Sequence, residues 1–235
     1  MSLSKLSLLA VAATLTLSGV AAHADSLTLG NPGGSFSFTF KGDHENAAGG
    51  NMTGSSAVIG GKTVDFSAVY CVDLFDEINS NSFYNHTTFT TNGVVNGDAV
   101  HHAADIAWLL LNTTVTTTTQ SEGLQAAIWA EEYGNDFSVS SGQNGIMSDE
   151  NADLAALQNA INDGLVKSSL VSKVDWITPP TTTEGGGWDE DDRRVVDQQG
   201  LVGVPDPPAV PEPATLSLFG TGILGLAGIV RRMSA

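Results

Sequence analysis

The chain holds a single cysteine, Cys71, and a glutamine, Gln125, that opens the segment Gln125-Ala-Ala-Ile-Trp129. A thiol and a carboxamide can react with each other. If the Cys71 sulfur attacks the Gln125 carboxamide carbon, an S–C bond forms, the C–N bond breaks, and nitrogen leaves as ammonia carrying the thiol proton. The product is an internal thioester. A thiolate is a better leaving group than an amide nitrogen, so a thioester kept dry stores acyl-transfer capacity. A primary amine that displaced the sulfur would be left in an amide bond, in a single turnover. The alternatives for a lone cysteine in an oxidising compartment are burial as an inert thiol or a disulfide between chains.

Such chemistry needs the two groups held rigidly. Val69-Tyr-Cys-Val-Asp73 alternates as a strand, with Ala68, Tyr70 and Val72 on one face and Val69, Cys71 and Asp73 on the other. The apolar run after Gln125 predicts a helix from Gly123 to Tyr133, with Gln125 near its N-terminus, where unpaired N–H groups would polarise an acyl carbonyl. Tyr70 and Trp129 are candidate shields against water, although aromatics in such runs also serve as plain core. Asp73 is a candidate acceptor for the proton of an attacking amine, or a simple strand-end carboxylate. His101 and His102 are candidate general bases at a helix start. Glu131 and Glu132 could attract a cationic amine or form a solvated face.

Tyr70-Cys71-Val72 and Leu124-Gln125-Ala126-Ala127-Ile128-Trp129 together resemble the thioester domains of bacterial surface adhesins. The apolar stretch Ala103 to Leu111 is similar to the helix that precedes the glutamine motif in that family. Leu124 stands where many members carry threonine. The resemblance implies a Cys71–Gln125 cross-link and covalent attachment to amine-bearing, or hydroxyl-bearing, targets on a surface or in an exopolysaccharide matrix.

The chain ends speak of export. Lys5, an apolar stretch from Leu6 to Val20, and Ala22-His23-Ala24 predict a secretory signal over residues 1–24, cleaved after Ala24. Pro211-Glu212-Pro213 precedes about 17 uncharged, mostly apolar residues, barely enough to span a bilayer, and then Arg231 and Arg232, which hold the tail on the cytoplasmic side. This order resembles the PEP-CTERM sorting signal of Gram-negative bacteria that make exopolysaccharide. It implies an exosortase-type processing enzyme as partner, transient residence in the inner membrane through the 214–235 segment, and delivery to the cell surface or matrix.

Between signal and tail, residues 25–204 read as one α+β domain: a β-rich, sandwich or barrel-like N-terminal part with an inserted helical part carrying the Gln motif. Residues 205–213 form a proline-rich linker. Strands are predicted at Ser35 to Phe40, Thr63 to Val72, Thr87 to Thr90 and Val195 to Val204. Helices are predicted at Val100 to Leu111, Gly123 to Tyr133 and Asp149 to Val166, and Thr113 to Thr119 as a loop or edge strand. With 26 acidic residues against 9 basic ones, the surface repels nucleic acid and favours cationic partners. Trp188-Asp-Glu-Asp-Asp192 could bind calcium but lacks EF-hand spacing, so no metal or cofactor is assigned. No nucleotide-binding or hydrolase motif appears, and a conventional enzyme is not expected. Two competitors stay open: a non-covalent biofilm matrix protein with an inert Cys71, and a cysteine hydrolase or transglutaminase-like enzyme using His101 or His102.

Overall fold

The computed structural model describes residues 24–74, 78–180 and 198–207. The secretory signal, the acidic run 188–192 and the sorting tail lie outside the described residues. The chain runs through β1 (Ser26–Thr28), β2 (Gly34–Phe40), β3 (Asp43–Gly49), β4 (Ser56–Ile59), β5 (Lys62–Cys71), β6 (Phe83–Asn85), β7 (Thr88–Thr90), β8 (Val94–Val95) and β9 (Asp98–Ala99). Helices α1 (Ala103–Asn112) and α2 (Thr118–Tyr133) follow, then β10 (Phe137–Val139), α3 (Asn144–Asn162), β11 (Asp175–Thr178) and β12 (Leu201–Pro205). The fold is α+β. A curled antiparallel sheet of seven strands, in the order β6-β1-β4-β5-β12-β11-β7, is joined by a three-stranded sheet, β10-β2-β3, and a β8–β9 ribbon.

Two tight hairpins set the register of the first half. Lys41 and Gly42 both have positive φ, as do Gly60 and Gly61, which fits the two-residue turns that match strand twist. In β2 the alternation of Phe with Ser and Thr buries Phe36 and Phe38. In β5 the run Val69 to Val72 is buried on both faces. Val69 and Cys71 join a core with Phe36, Phe38 and Trp129, whereas Tyr70 and Val72 join a second core with Ile106, Leu109 and Ile128 of the helices. Burial on both faces explains a near-continuous apolar run where a one-sided strand would alternate.

Helix α2 starts five residues earlier than its apolar run predicts. Thr117 is its N-cap, accepting from the Gln120 N–H while the Gln120 side chain returns to the cap backbone. This capping box offsets the poor helix propensity of Thr118 and Thr119. Gln125 therefore lies two turns inside the helix, and the expected role for free N-terminal N–H groups beside it is corrected. Helix α1 begins at Ala103, because His102 adopts a left-handed backbone with φ 49°. Helix α3 begins at Asn144 and closes before Gly164, whose φ is 67°; of the apolar residues Leu154, Leu157, Ile161 and Leu165 only Leu157 is fully buried, and Ile161 and Leu165 are exposed. Gly123 lets α2 and α3 approach closely: a Cβ there would lie 2.5 Å from that of Asp149.

Candidate functional site around Cys71

The fold brings Cys71 and Gln125 together through the backbone of β5. Strand β4 pairs with β5 only between Lys62 and Asp65, so farther along the same edge the peptide groups of Val69 and Cys71 need other partners. The Val69 N–H donates to Asn51 Oδ1 at 3.0 Å, and its carbonyl accepts from Met52 N–H at 2.9 Å. At Cys71 the Gln125 carboxamide completes the edge. Its Oε1 accepts from Cys71 N–H at 3.0 Å, and its Nε2 donates to the Cys71 carbonyl at 2.7 Å. A fully buried side-chain amide thus stands in for a strand's peptide group. One turn earlier, Ser121 Oγ accepts from Asn51 N–H at 2.6 Å, fastening the same edge to α2.

The sulfur itself meets a different amide. Cys71 S–H donates to Gln199 Oε1 at 3.1 Å, and Gln199 Nε2 donates to the Asp73 carbonyl. This follows from sheet register. Leu201 pairs with Cys71 across β12 and β5, and the chain entering β12 runs beside Val72 and Asp73, both of whose N–H groups point to the Gly200 carbonyl. The sequence signal for Gln199 was only its place in the closing strand, and the pairing with β5 gives it its position. Cys71 is 1% exposed. Burial, reinforced by the Asp73 charge, pushes its pKa far above the usual thiol range, so the unreacted sulfur carries its proton.

The other residues singled out from sequence are dispersed. Trp129 shares the Cys71 core, its ring 5.4 Å from Phe38 and 5.6 Å from Phe36, and its indole N–H is buried with no hydrogen-bond partner among the described residues. Tyr70 belongs to the opposite face of β5, its hydroxyl 3.4 Å from Ser121 Oγ. His102 Nδ1 lies 3.0 Å from Glu131 and 3.2 Å from Asp105. These three donor atoms lie within 4.8 Å of one another, a set that could take a divalent cation. The imidazole of His102 is thereby engaged away from the thiol.

Asp73 and Glu132 instead share an open cleft of about 190 Å³, lined also by Asn96, Asp98, Val100 and Tyr133. Asn96 Nδ2 spans the cleft's inner wall, donating to the Gln198 carbonyl at 3.1 Å and to Asp73 Oδ2 at 3.4 Å. Burial pushes the Glu132 carboxyl up to about 7, opposed by the His101 backbone N–H and reinforced by the Asp73 charge.

Residues 209–232 match the PEP-CTERM protein-sorting motif. That motif marks an exported protein sorted by an exosortase to the cell envelope or surface. No curated protein and no solved structure matches the chain. Among the described residues, no helix is long and apolar enough to cross a membrane, and the predicted 214–235 span lies outside them.

Proposed function

We propose that this exported protein carries an internal thioester on Cys71 and couples covalently to amine-bearing targets, with hydroxyls as weaker nucleophiles, on a surface or in the exopolysaccharide matrix. The observation that supports it most is a buried, protonated thiol within 3.1 Å of a carboxamide oxygen. That carboxamide belongs to Gln199. We therefore propose Gln199 as the acyl partner, in place of the Gln125 expected from sequence, because the Gln125 amide bonds the Cys71 backbone whereas the Gln199 amide meets the sulfur. In the forming step the sulfur bonds to the Gln199 carbonyl carbon, the C–N bond breaks, and ammonia leaves with the thiol proton. Gln125 holds β5 in place so that the sulfur stays aimed at Gln199.

A neutral thioester also suits a dry site better than a buried thiolate, which carries a desolvation cost. Cysteine hydrolysis fits less well, because the thiol's partner is an amide and not an imidazole that could take its proton. Intact mass of the purified protein tests the reading. A deficit of one ammonia, replaced by an added methylamine on incubation with that amine and absent in Cys71→Ala, is expected. Full mass with a free thiol in folded protein would leave the non-covalent matrix protein as the better reading.

A further inference from the structure

Resting on that thioester reading, we propose that the cleft bounded by Asp73, Asp98 and Glu132 is the entrance for the attacking nucleophile, that it selects a primary ammonium on a slender tether, and that Glu132 removes the proton the ammonium must lose before attack. Three observations converge on it. The cleft adjoins the acyl carbon's own support, since Asp73 both lines the cleft and accepts from the Gln199 amide through its carbonyl. Three of its lining residues are carboxylic acids, Asp73, Asp98 and Glu132, and none is basic, so its potential is negative. One oxygen of Glu132, Oε2, is buried with no hydrogen-bond partner among the described residues, and a buried carboxylate oxygen in that state is stabilised by an N–H donor. At about 190 Å³ the space suits an alkylammonium chain, such as a lysine side chain or a polyamine end, better than a bulky ring system.

The protons balance with solvent as the final acceptor. Glu132 takes one proton from R–NH₃⁺, and the free amine adds to the Gln199 acyl carbon. The C–N bond forms and the C–S bond breaks. The departing sulfur takes up the second proton, which the nitrogen loses on acylation, and the products are a secondary amide on Gln199, the Cys71 thiol and a protonated Glu132 that passes its proton to solvent. The groups around Glu132 are Asp73, Asp98 and Tyr133 of the cleft lining, and the His101 N–H and His102 ring from the start of α1.

The test uses purified protein in which an ammonia deficit has first been verified by intact mass. Rates of mass gain are then followed with methylamine, which is cationic near neutral pH, and with hydroxylamine, which is not. Glu132→Gln is expected to slow methylamine uptake about 10²-fold, within the range for a lost general base. Asp98→Asn is expected to weaken it severalfold in a salt-dependent way. Hydroxylamine should change less than about threefold in either variant, within ordinary scatter for a site left intact. Equal methylamine rates in wild type and both variants would overturn the cleft and leave the thioester standing. Absence of the ammonia deficit in wild type would instead remove the thioester reading on which the cleft rests.

Discussion

The two glutamines beside Cys71 sit in opposite physical circumstances. Gln125 comes from the middle of a capped helix, is fully buried, and has both amide atoms committed to backbone groups. Gln199 comes from the chain entering β12, is half-buried, and offers its oxygen to the sulfur. The first arrangement resists change, because each bond it makes satisfies a buried peptide group. The second places the carboxamide beside the sulfur, with its nitrogen held by the Asp73 carbonyl next to an open cleft. Rigidity and reactivity are thus divided between two residues of the same type.

The sharpest way to break this comparison is to remove each partner in turn. Cys71→Ala or Gln199→Ala should abolish the ammonia deficit and all methylamine uptake, read by intact mass. Gln125→Ala should behave in reverse. It leaves a buried N–H and a buried carbonyl unsatisfied, at about 1–3 kcal/mol each, so the denaturant midpoint should fall markedly. A variant that lost only the ammonia deficit, at unchanged midpoint, would instead make Gln125 the reacting group.

A smaller effect probes how α2 is held. Gly123→Ala pushes a methyl against Asp149 where α2 and α3 touch, and overpacking of this kind costs about 1–3 kcal/mol, read as a lower thermal midpoint.

The smallest effect is in pH. Burial raises Glu132 and Glu150 to about 7 and Asp153 to about 6. Each group binds protons more tightly folded than unfolded, so stability should decline as pH rises from about 4.5, the ordinary carboxyl range, to about 7. Glu150→Gln, which stands apart from the cleft, should flatten part of that decline in denaturation series at several pH values.

Much of this architecture was legible in the residues. The Phe-Ser-Phe-Thr-Phe alternation of β2, the apolar face of Val69 and Cys71, and the helix around Trp129 are local patterns, and local patterns carry their own structure. The sorting tail was equally plain, because motif, span and basic pair are contiguous. What the chain's linear order hid was everything set by pairing. Cys71 and Gln199 are 128 positions apart and meet only because β12 returns beside β5. Gln125 looked like a helix opener because the Thr-rich segment before it disfavours helix, and the capping box at Thr117 reversed that preference. His102, Asp105 and Glu131 converge across α1 and α2, which no spacing in sequence announces.

The account stands most directly on which glutamine carries the acyl group. Purified protein treated with methylamine, digested and mapped by tandem mass spectrometry would show the methylamide at one position. The account predicts it on Gln199, with Gln125 unmodified. A methylamide on Gln125, or a folded protein of full mass that takes up no methylamine, would contradict it.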